Sequence, residues 1–221
     1  MAVPTVPVAG PVRAVLFDMD GVLVDTEGFY NRRRAAYLRE VGRPVERFDF
    51  SGSNDAQIWQ ELVPEDPALR DRLHAGYDRY RLEHPVDYAK LADPDVREVF
   101  RGLHECGMRC AIASSSYPNM IQAMIDATGI GERVDFWLSG TQCEEHKPSP
   151  EIYLRCMDAL GVGPEECLVV EDSSTGIAAG VASGATVVAV ERYASATMDQ
   201  SAADVRIPCL RDILDVTGVR S

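Results

Sequence analysis

Five short apolar runs recur along the chain, each closed by a polar residue. They are Ala14–Phe17 before Asp18, Cys110–Ala113 before Ser114, Asp135–Leu138 before Ser139, Cys167–Val170 before Glu171 and Ala185–Val190 before Glu191. Runs of this length, apolar on both faces, suit strands covered on both sides, as in a parallel sheet. Between them the pattern changes to a period near 3.6. Val96, Val99, Phe100 and Leu103 fall at i, i+3, i+4 and i+7, with Gly107 as the stop. Ser149 and Pro150 predict an N-cap and first-turn proline for another helix, whose apolar face is Ile152, Tyr153, Cys156, Met157 and Leu160 and whose end is Gly161. Strands alternating with helices predict an α/β fold built on a doubly wound parallel sheet.

The alternation lapses between Gly28 and about Lys90, where only helical patterns appear. Ile58, Trp59, Leu62 and Val63 form one stripe, and Leu69, Leu73, Tyr77 and Tyr80 form another. Pro44, Pro64, Pro67 and Pro85 punctuate these segments, since proline is disfavoured inside helices. The organisation expected is a flexible tail over residues 1–11, a core from residues 12–27 and 92–221, and an inserted α-helical cap over residues 28–91.

Charge narrows the partners. The chain carries 22 Lys+Arg against 35 Asp+Glu, a formal net charge of −13. Nucleic acid and anionic membranes both need a basic face, so neither is expected as the main partner. The opening MAVPTVPVAGPV has no charged leader and no long apolar stretch, so neither a signal peptide nor a membrane span is expected. Six cysteines fall mostly inside apolar runs with no Cys-x-x-Cys pair, the pattern of reduced thiols in a cytoplasmic chain. A monomer is expected. An anionic substrate would need a local source of positive charge to overcome the acidic background.

That source is suggested at the strand ends, where ligands of open parallel sheets bind. The carboxyl ends of the runs collect Asp18, Ser114, the loop bearing Lys147, and Glu171-Asp172. Two carboxylates about 4 Å apart repel by about 4 kcal/mol at an effective dielectric of 20. A cluster of them either stays partly protonated or holds a divalent cation. Oxygen ligands favour a hard ion, and Mg²⁺ is the usual one when phosphate completes its shell. Asp-x-Asp occurs twice. Asp93-Pro94-Asp95 reads as a helix start, whereas Asp18-Met19-Asp20-Gly21 directly follows a buried strand. Glu171-Asp172-Ser173-Ser174 reads either as part of a site or as the cap of the next helix. Gly176 and Gly180, four apart, read as close helix packing. Lys147 is one of only two lysines beside twenty arginines, and a compact ammonium suits a point contact to phosphate and carboxylate.

Together these residues resemble the haloacid dehalogenase superfamily, in particular its phosphatase and phosphomutase branch with an α-helical cap after the first strand. The resemblance covers nearly the whole chain from Val12 and rests on four segments in order. These are Asp18-Met19-Asp20-Gly21-Val22-Leu23-Val24-Asp25-Thr26-Glu27, then Ser114, then Lys147-Pro148-Ser149-Pro150, then Glu171-Asp172-Ser173-x-x-Gly176. The resemblance implies a Rossmann-like core, Asp18 as a nucleophile forming an aspartyl-phosphate, and Asp20 as general acid and then base. It implies Ser114 as a ligand of the phosphoryl oxygens and Lys147 as their counter-charge. It further implies Mg²⁺ held by Asp18, the Asp20 main-chain carbonyl and Asp172, with Glu171 in support directly or through water.

Within that resemblance, Asp20 separates the chain from dehalogenases, which lack an acid there because a halide leaves unprotonated. Phosphonate-cleaving relatives need a cap lysine, and this cap offers only Lys90 at its edge. β-Phosphoglucomutase-like mutases use a cap histidine and a cap-loop arginine, and the matching positions here hold Tyr30 and Asn54. A mutase must hold a bisphosphate with a second cation, for which Arg32, Arg33 and Arg34 are candidates. A signalling receiver domain shares the phosphorylatable Asp, hydroxyl and lysine, but is about half this length and has no inserted cap. The function expected is an Mg²⁺-dependent phosphatase acting on a small phosphorylated metabolite of the sugar or sugar-alcohol phosphate class. Tyr30, Ser53, Asn54, Asp55 and Trp59 are candidate substrate-selecting residues, each of which can equally serve packing. His146 reads as a loop residue, and the four histidines are too scattered for a metal site.

Overall fold

The computed structural model describes residues 11–45, 50, 55–194 and 198–219. Strand β1 (Ala14–Phe17) leads into helices α1 (Glu27–Glu40), α2 (Asp55–Leu62), α3 (Pro67–Glu83) and α4 (Tyr88–Leu91). Next come α5 (Val96–Glu105), β2 (Arg109–Ser114), α6 (Pro118–Thr128), β3 (Phe136–Ser139) and α7 (Glu151–Leu160). The chain then forms β4 (Cys167–Glu171), α8 (Ser174–Ala182), β5 (Thr186–Val190), β6 (Val205–Ile207) and α9 (Ile213–Val216). It divides into two compact units, Met1–Asp25 with Tyr88–Ser221, and Thr26–Asp87.

The first unit is built on a parallel sheet of order β3-β2-β1-β4-β5-β6. β1 lies between β2 and β4, with Phe17 registered against Ile112 on one side and Val170 on the other. Alternate side chains of the same strand serve opposite faces. Ala14 and Leu16 share a cluster with Ile152, Tyr153 and Met157 of α7 and Ile177 of α8. Phe17 instead stacks on Phe100 of α5, their ring centroids 4.9 Å apart. Every residue of β1 is buried, which explains a run with no polar alternation. The doubly wound parallel sheet read from the five runs is the fold observed.

Three local readings change. β6 escaped the pattern because its three residues, Val205-Arg206-Ile207, alternate buried, exposed and buried at the sheet edge. Pro150, not Ser149, occupies the N-cap of α7, and the Ser149 hydroxyl accepts the Glu151 amide one step further in, at 3.4 Å. Gly107 and Gly161 do end their helices, with φ of +76° and +60°, where a side chain would be strained. Asp93-Pro94-Asp95 does precede α5, but Asp93 does more than begin a helix. Its buried carboxylate accepts the Tyr193 hydroxyl at 3.0 Å and the Asp95 amide at 2.9 Å, with Arg192 at 3.6 Å.

The second unit packs α1, α2 and α3 around Tyr37, Leu38, Trp59, Val63, Leu73 and Tyr77, with Leu62, Leu69 and Tyr80 at its margin. Asp66 caps α3 by accepting the Leu69 amide, and Pro67 stands in its first turn, where no donor is lost. Arg33 and Arg34 are buried here. Arg33 donates to the Tyr77 hydroxyl at 3.2 Å and the His84 carbonyl at 3.0 Å, and Arg34 lies over the Phe50 and Tyr77 rings, 3.8 Å from Asp55.

The six cysteines are free thiols, and burial pushes those of Cys110, Cys156 and Cys167 up to about 12, which makes them inert as nucleophiles. Among the described residues, no helix is long and apolar enough to cross a membrane. The tail expected over residues 1–11 falls almost wholly outside the described residues. Tyr193→Phe strips a donor from the buried Asp93 carboxylate. It is expected to lower stability by about 1–3 kcal/mol in urea denaturation, without a change in secondary structure by circular dichroism.

Candidate active site

Side chains at the carboxyl ends of β1 and β4 meet in one buried cluster, to which β2 adds a main-chain carbonyl and, beside it, Ser114. Asp18 follows β1 directly, Ser114 is the last residue of β2, and Glu171 is the last residue of β4, followed by Asp172. Lys147 comes from the loop between β3 and α7. The strand order places β1 where the connections diverge to the two sides of the sheet, the position at which α/β sheets form a crevice.

The ammonium of Lys147 is the hub. It donates to Asp18 Oδ1 at 2.6 Å, Glu171 Oε1 at 2.7 Å and the Ala113 carbonyl at 3.0 Å, and lies 4.8 Å from the centre of the Tyr153 ring. An ammonium has three N–H donors, so all are committed. Burial alone would discharge this lysine, but Asp18 and Glu171 outweigh it and hold its pKa well above the usual lysine range.

The two acidic partners differ. Burial pushes the Asp18 carboxyl up to about 8; Lys147 opposes that rise, and Glu171 and Asp20 add to it. Glu171 is just as deeply buried, yet Lys147 and its hydrogen-bond donors hold it below the usual carboxylate range. Its Oε1 accepts Lys147 and the Tyr153 hydroxyl, the latter at 2.7 Å. Its Oε2 accepts the Asp172 amide, the Ser173 amide and the Ser173 hydroxyl at 3.1, 3.3 and 3.2 Å. A carboxylate offers about four acceptor sites, so Glu171 is saturated by protein donors.

Asp18, Glu171 and Asp172 each bring a carboxylate oxygen within 4.8 Å of the others. Three buried carboxylates against one ammonium leave two uncompensated negative charges when all are ionised. An oxygen-only donor set with that deficit fits a hard divalent cation. The backbone is shaped to the same end: Gly21 has φ of +83°, and a Cβ there would fall on the Asp172 carboxylate. Asp20 is held apart from this set. Its Oδ2 accepts the Ser116 hydroxyl at 2.7 Å and faces the Ser114 hydroxyl at 3.5 Å, while the Ser116 amide donates to Ser114 Oγ at 3.0 Å.

The capping reading of Glu171-Asp172-Ser173-Ser174 is realised, and the same segment brings two carboxylates to the cluster. Ser173 caps α8 by accepting the Gly176 amide at 3.0 Å, and Glu171 turns back to Lys147. Gly176 keeps the packing expectation and names its partner, because a Cβ there would collide with the Glu171 carboxylate. Gly180 keeps it as well: its Cβ would press on Val187 and Val169 at 2.8 and 3.0 Å.

Trp59 is buried and stacks on His74, ring centroids 5.3 Å apart, so it serves the core of the helical unit. Asp55 pairs with His74 at 2.6 Å. The Tyr30 ring lies beneath Arg33, 5.3 Å from its guanidinium carbon. Ser53 and Asn54 lie outside the described residues. Sequence reasoning missed Ser116, Tyr153 and Gln200 as neighbours of the cluster. Tyr153 was assigned only to an apolar face, although a buried phenol needs a hydrogen-bond partner and that requirement was readable.

A model of the haloacid dehalogenase-like hydrolase family matches residues 12–184. The chain belongs to that family. This hydrolase is 31% identical over 214 residues to protein CbbY of Rhodobacter capsulatus, covering 90% of this chain and 94% of that one. It is 29% identical over 178 residues to a phosphorylated carbohydrates phosphatase of Thermotoga maritima, covering 78% and 82% of the two chains. Its fold matches that of a β-phosphoglucomutase from Clostridium difficile with a TM-score of 0.75 at 20% identity, covering 94% and 97%. Gly176→Ala and Gly180→Ala are each expected to cost the hydrolase about 1–3 kcal/mol in denaturant titrations through overpacking. Only Gly176→Ala, which displaces Glu171 from Lys147, is expected to abolish turnover in parallel activity assays.

Proposed function

We propose that this hydrolase releases phosphate from a small phosphorylated metabolite, of the sugar or sugar-alcohol phosphate class, through an aspartyl-phosphate on Asp18. The observation that carries the reading is the Asp18 carboxylate held 2.6 Å from a buried ammonium, with a second carboxylate, Asp20, oriented separately by serine hydroxyls. A carboxylate nucleophile and an independent acid are what a two-step phosphoryl transfer requires.

In the first step an Asp18 oxygen bonds to phosphorus as the ester P–O bond breaks, and Asp20 gives its proton to the departing alkoxide oxygen. In the second, Asp20 takes a proton from water, the water oxygen bonds to phosphorus, and the bond to Asp18 breaks to release phosphate. Lys147 offsets charge on the equatorial phosphoryl oxygens, and the Ser114 hydroxyl donates to one of them. Asp18, Asp172 and the Asp20 main-chain carbonyl would hold Mg²⁺, and Glu171 would support it by fixing Lys147 and the Asp172 amide. When bound, it supplies the positive charge that the carboxylates lack and draws an anionic substrate to an acidic protein.

The substrate class is supported by the phosphorylated carbohydrates phosphatase relative. Hydrolysis is favoured over a mutase reaction because, of the three arginines that are candidates for gripping a second phosphate, Arg33 and Arg34 are spent on Tyr77, His84 and aromatic faces inside the helical unit, which leaves only the exposed Arg32. That unit, in the role of a cap, would select the substrate, with Tyr30 and Asp55 as candidate contacts. Free cysteines support a reducing, cytoplasmic setting, and we read the protein as a monomer.

Phosphate release from a panel of sugar and sugar-alcohol phosphates, with the conversion of glucose 1-phosphate to glucose 6-phosphate followed in parallel, tests the assignment. Asp18→Asn is expected to lower turnover by about 10³-fold or more while the protein stays folded. Retained turnover would remove Asp18 as the nucleophile. Asp20→Ala is expected to slow alkyl phosphates at least about tenfold more than p-nitrophenyl phosphate, whose leaving group needs no proton. Equal losses on the two substrates would remove Asp20 as the acid.

A further inference from the structure

Gln200 lies 28 residues beyond Asp172 in sequence and is buried beside it. Its side-chain nitrogen has two N–H groups, and both are used: one donates to the Asp172 carbonyl at 2.7 Å, the other to the Val190 carbonyl at 3.0 Å. The placement follows from the sheet. β4 and β5 are paired as far as Glu171 opposite Ala189, so Asp172 and Val190 lie just beyond the last pair of the ladder. Buried carbonyls at such an end need donors from elsewhere, and one amide satisfies both. A second tie reinforces the first, because the Ser174 hydroxyl donates to the Asp199 carbonyl at 2.7 Å. The turn that carries Asp172 is therefore pinned from outside the cluster, by a segment that touches neither Asp18 nor Lys147 in any of these bonds.

We propose that Gln200 is a positioning residue for the cation site: by fixing the Asp172 main chain it aims the Asp172 carboxylate at the space shared with Asp18. The proposal rests on the reading that Asp18 and Asp172 hold Mg²⁺. Mg²⁺ demands near-ideal octahedral geometry, so it responds steeply to small displacements of a ligand. Outer groups that orient a metal ligand typically contribute about 10- to 100-fold to metal affinity.

The test is calorimetric titration of Mg²⁺ into metal-free full-length parent and Gln200→Leu, a variant of similar size with no donors. The expected result is Mg²⁺ binding weakened about 10- to 100-fold, with p-nitrophenyl phosphate turnover at saturating Mg²⁺ within about threefold of the parent. Val205→Ala, which trims the edge strand β6, serves as the stability control; it is expected to lower the denaturation midpoint while leaving Mg²⁺ affinity intact. Should Gln200→Leu fail to fold, Gln200→Glu, which sets a carboxylate against the two carbonyls, carries the same expectation. Unchanged Mg²⁺ affinity in a folded Gln200 variant overturns the proposal while leaving the metal reading standing. A parent protein that binds no Mg²⁺ overturns both.

Discussion

Asp18 and Glu171 share one ammonium at the ends of β1 and β4 with a third buried carboxylate, Asp172, beside them, and the surrounding structure answers that imbalance. An uncompensated buried charge is among the most expensive features a fold can carry. The protein divides the problem. Glu171 is held below the usual carboxylate range by Lys147 and four neutral donors, and Lys147 is held well above the usual lysine range by Asp18 and Glu171. Asp18 is left undercompensated, and burial pushes it up to about 8. The two acids therefore sit in different electrostatic environments although they share one lysine. A similar separation of carboxyl environments underlies acid–base and nucleophile assignments in other enzymes.

The scaffold supplies rigidity where that division needs it. β1 is buried over its whole length and hydrogen-bonded on both edges, so Asp18 leaves a strand that cannot shift. Gly21 and Gly176 do the complementary work by omission: the space each would fill with a side chain is taken by a carboxylate. Ser173 joins two tasks in one hydroxyl, ending one hydrogen-bond chain at Glu171 and starting helix α8.

Much of this was legible in the amino-acid sequence because burial leaves a mark on pattern. The five principal strands are apolar runs, and the polar residues closing three of them, Asp18, Ser114 and Glu171, mark the sheet edge at which the cluster forms. Lys147 stood out through composition alone, as a lysine in an arginine-rich chain. What escaped notice had no such mark. β6 is too short and too exposed at Arg206 to form a run. The spacing of Gly176 from Gly180 reports close packing but not that the partner of Gly176 is the Glu171 carboxylate. Asp93 looked like an ordinary helix start because its partner, Tyr193, is 100 residues away. Ser116 and Gln200 are single polar residues whose partners, Asp20 and Asp172, are also distant in sequence. Local spacing reports neighbours along the chain, whereas these contacts are made by topology.

The point where the chain leaves and re-enters the α/β unit has its own significance. Val24 forms an antiparallel bridge with Ala92, the Asp25 amide donates to the Leu91 carbonyl, and the Asp93 amide donates to the Leu23 carbonyl. The outgoing and returning segments are thus stitched side by side before the helices of Thr26–Asp87 begin. Such a clasp fixes the two ends whatever is strung between them, and lengthening a loop whose ends are already joined costs little entropy. It makes the helical segment a natural splice site, at which evolution or an engineer can transplant a module of different length without moving the strand that bears Asp18.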